Sequence, residues 1–483
     1  MIREVIIGGS FNPPGNHHFD ISAALTPHFD RLRIFPCGMR PDKLSTNDVS
    51  PLHRAAMVDL AFGGLGDKVT VDLSDIRQGG EFTRTYDVNE RYNQDGVELW
   101  HAVGTDLLEK RHDDGLSDIE RWWYRGRELL ETARFAVIVR DGFPLERCTL
   151  PRHYDVWDAG STGSSMLIRA TIQFREPYTH LVPPTVADFI ERHNIYRGHS
   201  MSMRGLLHRE PVRAYLHYYA DERTGVNPKT ARVIDDFERL GVRADLEDAN
   251  VIIVIGGDGT MLDATRQFYR RRLPFFGVNT GGTGYQLNDV TAEETIAALA
   301  NGVESYLLSM LECECMLESG EVVHHTAYNE AYAEKYCRPG AKGKQASHFS
   351  LHVRSREDNW PERYCERIVG SHLMVSTPQG STGYAQDLDH DPLMIDSQSL
   401  LLVGGATNQP IGWRGMPLPG DAEVMIEVLD NDKRPADGNF DNVSVGPIRK
   451  LTIRKSYVAG AEICFLRGYS PAMKLMNARF PRY

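Results

Sequence analysis

At 483 residues the chain exceeds what one hydrophobic core supports, so more than one domain is expected. Its composition (41% hydrophobic, 25% charged, 9% aromatic) is that of an ordinary globular protein, and no apolar run reaches the length that spans a bilayer. A net charge of -12 argues against a broad basic face, and so against nucleic acid as the main partner, while leaving room for small basic pockets.

The chain opens on a strand-like segment, Met-Ile-Arg-Glu-Val-Ile-Ile, with an acid inside it and no signal-peptide core. Strand patterns recur at residues 5–7, 32–35, 69–71, 99–103 and 135–139, with helical patterns such as 52–62 and 128–133 between them. That alternation predicts a doubly wound parallel sheet, α/β in class, whose ligands lie beyond the carboxyl ends of its strands. The first strand runs through Gly8-Gly9-Ser10-Phe11-Asn12-Pro13-Pro14-Gly15-Asn16-His17-His18 into a helix beginning near His17. A glycine-containing turn with imidazoles at a helix start suits a triphosphate, because backbone donors and histidines share its charge. Paired histidines are otherwise a solvated surface or a core contact. That reading is favoured over metal ligation, since no Glu-x-x-His companion appears. A closing helix is expected over 186–193, and residues 196–204 read as a polar linker.

A second α/β stretch follows, with a helix expected over 228–240. Val251-Ile252-Ile253-Val254-Ile255 is a buried parallel strand by composition, and it enters Gly256-Gly257-Asp258-Gly259-Thr260 before a helix expected over 261–270. Glycines at such a turn let backbone N–H groups approach a phosphate. An acid among them repels phosphate unless it takes a proton from a hydroxyl or helps hold a phosphate-bound metal. The pattern therefore points to phosphoryl transfer to an alcohol; the plainer alternative is a turn whose Asp258 caps the next helix. From about residue 309 short alternating runs (348–353, 400–403, 423–428) indicate a largely antiparallel β region. Seven scattered cysteines fit buried thiols in a reduced, cytoplasmic protein; Cys313-x-Cys315 lacks the second ligand pair of a zinc site.

Four motifs follow the Asp258 loop in order: Gly277-Val278-Asn279-Thr280-Gly281-Gly282-Thr283-Gly284-Tyr285, Tyr328-Asn329-Glu330, Ser376-Thr377-Pro378-Gln379-Gly380-Ser381-Thr382-Gly383-Tyr384, and Asp437-Gly438. Together they resemble the NAD kinase family over residues 201–470. The resemblance implies a two-part fold, an α/β subdomain at 205–308 and a β-sandwich-like subdomain at 309–470. It also implies ATP-dependent phosphorylation of the adenosine-ribose 2′-hydroxyl of NAD. Asp258 would be the general base, with Gly257, Gly259, Thr260 and Asn279 on the nucleotide side. Asn329 and Glu330 would hold the adenine nucleotide and ribose, and Thr382 and Tyr384 would line the dinucleotide pocket. Ser371-His372 stands where the family usually carries Asp-Gly.

In the first half, the turn at Gly9 is followed by Pro41-Asp42-Lys43, Arg54-x-x-Met57, Gly104-Thr105-Asp106 and Ser164-Ser165-Met166-Leu167-Ile168-Arg169. This set resembles nicotinate or nicotinamide mononucleotide adenylyltransferases over residues 1–198. By that likeness Gly9, Ser10 and Phe11 line the nucleotide site, and His18, a catalytic candidate, and Lys43 meet phosphates. Asp106 helps hold ATP, and Ser165 and Arg169 bind the triphosphate. Gly15-Asn16-His17-His18 replaces the family's His (or Thr)-x-Gly-His.

The expectation is thus a bifunctional enzyme that makes NAD and then NADP, using ATP with Mg²⁺ carried on the triphosphate rather than in a dedicated metal site. Its partners would be small nucleotides (ATP, the mononucleotide, NAD), with no nucleic acid and no membrane; by family likeness it would be a homo-oligomer. Two alternatives stay open: a kinase alone with a degenerate nucleotide-binding first domain, and a non-catalytic NAD- or ATP-sensing protein.

Overall fold

The computed structural model describes residues 1–40, 49–77, 82–160, 163–197, 203–338, 345–356, 360–468 and 474–476. The chain divides into two compact units, Met1–Ser202 and Met203–Tyr483. Lys43 lies outside the described residues.

In the first unit β1 (Ile2–Gly9), β2 (Arg31–Pro36), β3 (Val69–Val71), β4 (Val97–Gly104), β5 (Arg134–Ile138) and β6 (His153–Trp157) form one sheet, ordered β3-β2-β1-β4-β5-β6. Every pairing in it is parallel. Val5, Ile6 and Ile7 are buried, as expected of a central strand covered on both faces. Strand order reverses between β1 and β4, so a crevice opens where their carboxyl ends part. Helix α1 (Asn16–Leu25) leaves β1, and α2 (Ser165–Gln173) follows β6. Tyr196 is not a linker residue. It is buried, and its hydroxyl donates to Asn12 Oδ1 at 2.5 Å, because an aromatic ring gains more by packing than a polar linker would.

The second unit begins with a parallel trio: β7 (Ala214–Tyr218), β8 (Val251–Gly256) and β9 (Phe275–Asn279), with β8 in the centre. Val251 to Ile255 are fully buried. Helix α3 spans Asp258–Phe268, starting three residues before the expected 261. Gly257 serves as its N-cap, so Asp258 already occupies the first turn, where a negative charge is favoured.

The expected boundary at 308/309 falls inside a single strand, β10 (Val303–Leu317). β10 pairs antiparallel with β11 (Val443–Phe465) along nearly its whole length, across bulges at Ser309/Leu311 and Met316/Leu317. The end of β11 also pairs in parallel with β9, at Phe275↔Ile463. The α/β part and the β-rich part therefore share strands. Around β11 the remaining antiparallel strands enclose a core that includes Phe349, Ile368, Leu402, Ile426 and Leu451. Cys313 and Cys315 are buried free thiols on β10. Among the described residues no helix is long and apolar enough to cross a membrane.

Candidate active site

The turn after β8 is shaped by small residues. A Cβ on Gly256 would stand 2.3 Å from Thr260 Oγ1, and one on Gly281 would stand 3.3 Å from Gly257 Cα, so two glycine-rich turns pack against one another. Thr280 N–H donates to Gly256 C=O at 2.8 Å and ties them together. Asn279 braces the second turn: its Oδ1 accepts from Gly281 N–H, and its Nδ2 donates to Gly282 C=O and Asp289 Oδ1.

Asp258 does not cap its own helix. Its two carboxylate oxygens accept the backbone N–H groups of Tyr285 (3.0 Å) and Gln286 (2.9 Å), from the far side of the second turn. This aims the carboxylate while leaving it half-exposed beside Gly257 and Gly259.

From Gln286 a buried polar network runs inward. Tyr328 OH donates to Gln286 Oε1 at 2.7 Å, and Gln286 Nε2 donates to Gln379 C=O at 3.3 Å. Gln379 Nε2 returns to the carbonyls of Ser309 and Tyr328, both at 2.9 Å. Thr377 Oγ1 reaches Tyr328 C=O at 2.8 Å. A Cβ on Gly380 would fall 2.3 Å from Asn329 C=O, so only glycine lets the 376–384 loop approach the Asn329 backbone this closely.

Asn329 and Glu330 are presented by a residue that sequence reasoning missed. The Asp441 carboxylate accepts the successive N–H groups of Tyr328, Asn329 and Glu330 at 2.6, 2.8 and 3.2 Å. Asp441 and Asn442 both have positive φ (48° and 65°), the signature of a tight hairpin turn; Asp-Asn between strand patterns was the available signal. Burial raises the Asp441 carboxyl, and the three N–H bonds offset part of that rise. Burial and the neighbouring Asp441 charge push Glu330 up to about 8, so it carries its proton at neutral pH. Glu330 Oε2 and Asn329 Oδ1 are both buried without a hydrogen-bond partner. Unsatisfied buried polar atoms are costly and call for an explanation, and a ligand is one.

Thr382 lines a cleft of about 330 Å³ with Tyr285, Gln286, Gln379, Met394 and Leu475. Tyr384 sits on the same loop, its OH 2.5 Å from His372 Nε2, which is also 3.2 Å from Glu334 Oε1. Asp258, Gly257, Gly259, Thr260, Asn279, Asn329, Glu330, Thr382 and Tyr384 thus belong to one connected neighbourhood. A larger hollow of about 450 Å³ shares only Pro378, Gln379 and Ile395 with the cleft and contains none of these candidates.

In the first unit the candidates gather around the β1–α1 turn. Ser165 Oγ donates to Pro13 C=O at 2.8 Å, and the buried Arg169 donates to Asn12 C=O at 2.6 Å. His18 Nδ1 accepts Gly15 N–H at 3.1 Å, placing a neutral ring's proton on Nε2. His17 is buried, its ring within 3.6 Å of where a Gly163 Cβ would be, and burial first, Arg140 second, lower it to about 4. Gly9 and Ser10 are half-buried at the end of β1, whereas Phe11 is fully buried and packs on the His18 ring at 4.7 Å. Asp106 opens the short helix after β4 and lies 3.9 Å from Arg140, which sequence reasoning also missed. Arg140 just beyond β5 carried no motif of its own to reveal it.

Comparison with known proteins finds two families, in the order of the two units. Residues 6–179 match the cytidylyltransferase-like family model, and residues 182–305 match the ATP-NAD kinase N-terminal domain. An NAD kinase of Xanthomonas campestris pv. campestris (strain 8004) is 33% identical over 220 residues, covering 45% of this chain and 80% of its own length. An NAD kinase of Rickettsia bellii (strain OSU 85-389) is 27% identical over 254 residues, 53% of this chain and 94% of the relative. Among solved structures, an Archaeoglobus fulgidus NAD kinase in complex with ATP shares 22% identity at a TM-score of 0.41, over 55% of this chain and 98% of that one. Yeast NADH kinase complexed with NADH shares 11% at 0.45, over 57% and 89%.

Proposed function

The chain belongs to the NAD kinase family, and from that premise we propose that its second unit transfers the γ-phosphoryl group of ATP to the adenosine-ribose 2′-hydroxyl of NAD. The observation that carries this reading is the Asp258 carboxylate, gripped from behind by two N–H groups and facing glycine-walled turns. Asp258 takes the proton of the ribose hydroxyl as its oxygen attacks phosphorus, a role worth roughly 10²–10⁴-fold in rate. Gly257, Gly259, Thr260 and Asn279 border the polyphosphate. Asn329 Oδ1 and Glu330, protonated before ligand arrives, supply an acceptor and a donor to adenine and ribose groups. Thr382 and Tyr384 line the dinucleotide side. Mg²⁺ carried on the triphosphate would supply neutralisation of the charge on its oxygens. Incubation of the purified protein with Mg-ATP and NAD should yield NADP, and Asp258→Asn should slow its formation roughly 10²–10⁴-fold. An unimpaired Asp258→Asn variant refutes the reading.

For the first unit the reading is adenylyl transfer from ATP to nicotinamide or nicotinate mononucleotide. Its support is the cytidylyltransferase-like match, with Gly9, Ser10 and His18 at the turn after β1 and Asp106 just beyond β4, the two strands between which the order reverses. No covalent intermediate is needed, since aligning two bound substrates and neutralising charge suffice. One observation favours the alternative in which only the kinase is active: His17 fills space where the family carries glycine, and Ser165 and Arg169 are engaged with the turn's own backbone. Mg-ATP with each mononucleotide separates the two: pyrophosphate release with formation of NAD from the nicotinamide form, or of its deamidated counterpart from the nicotinate form, supports transfer, and binding without product supports a ligand-sensing domain.

A further inference from the structure

Residues 474–476 bring a buried lysine to the back of the turn that holds Asp258. The Lys474 side chain is 6% exposed, and its ammonium donates to Gly284 C=O at 2.6 Å and to Leu287 C=O. It also lies 3.8 Å from Asp289 Oδ2. Between those two carbonyls stand Tyr285 and Gln286, whose N–H groups hold the Asp258 carboxylate. Gly284 itself has a φ of +58°, and Leu287 N–H closes the turn onto Gly284 C=O at 3.2 Å.

Within one planar trans peptide the N–H points opposite to the carbonyl, so a cation drawing Gly284 C=O to one side leaves Tyr285 N–H facing the other, while its hold on Leu287 C=O fixes the far end of the turn that carries Gln286 N–H. The second anchor of the turn works at its opposite end: Asp289 Oδ1 accepts from Asn279 Nδ2, which also donates to Gly282 C=O. Lys474 and Asn279 thus meet on Asp289, one beside each of its carboxylate oxygens. Burying an ammonium is unfavourable, and burial does lower the Lys474 pKa, with Asp289 and Asp258 acting against that fall. The arrangement persists because two carbonyls and an acid compensate it. The next residue, Leu475, forms part of the wall of the Thr382 cleft, so the segment is continuous with the candidate site.

We propose that Lys474 is a positioning residue for the phosphoryl transfer, clamping the Gly284–Leu287 turn so that its two N–H groups aim the Asp258 carboxylate. The inference rests on the reading of Asp258 as the base.

The test is a double-mutant cycle in the full chain: wild type, Lys474→Met, Asp258→Asn and the double variant, each assayed for NADP formation with separate kcat and KM values. A misaimed base should cost about 10²-fold in kcat, with KM for NAD and Mg-ATP little changed. In the Asp258→Asn background Lys474→Met should cost nothing more, because the two act as one device. Equal losses in both backgrounds, a loss confined to KM, or no loss in Lys474→Met overturns the clamp while leaving the base intact. Wild-type kcat in Asp258→Asn overturns the base reading and the clamp with it. A thermal melt accompanies each variant; if Lys474→Met does not fold, Lys474→Gln, which keeps an N–H donor and loses the charge, replaces it in the same cycle.

Discussion

The two turns that leave a central parallel strand, one after β1 and one after β8, start from the same sequence idea and end differently. After β8 the glycines stay open, the acid is held by backbone from behind, and Asn329 and Glu330 keep buried oxygens without partners. After β1 the polar side chains are turned toward the protein: Ser165 and Arg169 brace Pro13 and Asn12, Tyr196 reaches Asn12, and His17 is packed away. The first unit has incomplete groups of its own: Arg54 is fully buried, spends one nitrogen on Cys37 C=O at 2.7 Å, and keeps Nε and Nη2 without a partner. The lesson concerns satisfaction. A turn whose polar side chains are spent on its own backbone has less to offer a ligand than one whose buried oxygens are left incomplete.

The largest effect that would break this contrast is on rate. Asp258→Asn should lower NADP formation by roughly 10²–10⁴-fold and leave any NAD synthesis by the first unit untouched, read from separated products of the two assays. If both products vanish, the two turns do not work independently.

Next is packing. Gly380→Ala places a methyl 2.3 Å from Asn329 C=O, where only backbone can move. Overpacking of this kind costs typically 1–3 kcal/mol. A lowered melting temperature together with weaker NAD binding by calorimetry is expected, and a silent substitution means the loop does not need to approach Asn329.

Two smaller effects sharpen the contrast through pH. Glu330 is raised from 4.5 to about 8, so the folded state holds its proton more tightly than the unfolded chain does. Its stabilising contribution is full below pH 4.5 and fades as pH rises toward 8. Glu330→Gln should therefore flatten the decline in denaturation midpoint over that window. His17 is the opposite case, lowered from 6.5 to about 4. Its neutral form favours folding above pH 6.5, and that support is lost as pH falls toward 4. His17→Gln should make acid unfolding shallower there. A midpoint curve parallel to wild type in either experiment removes the corresponding burial argument.

How far the sequence could be read follows from how local each signal is. Val251–Gly259 announces itself within nine residues, because a run of β-branched residues ending in glycines has few other meanings. Five of the six strands in the first unit's sheet are equally legible from their own periods, whereas the largely exposed edge strand β6 carries no apolar run to mark it. Asp441 was not, because its partners at 328–330 lie over a hundred positions away and only pairing of strands joins them. The nearby Asp437-Gly438 pair is the more conspicuous in sequence, yet it stands on a strand with Asp437 accepting from Ser444 Oγ at 3.1 Å. Lys474 had no periodic neighbourhood to mark it. β11 hid for a different reason: Gly446, Pro447 and Gly460 interrupt what would otherwise read as one long strand, and bulges absorb the interruptions.

That same strand limits how the molecule can breathe. Because Val443–Phe465 is laced into the parallel sheet at one end and into the antiparallel sheet along the rest, the two parts of the second unit cannot swing open like a jaw without unzipping a shared ladder. Entry and exit of a nucleotide fall to the turns on the rim, and amide exchange should be slow along the ladder and fast in the glycine-rich loops above it.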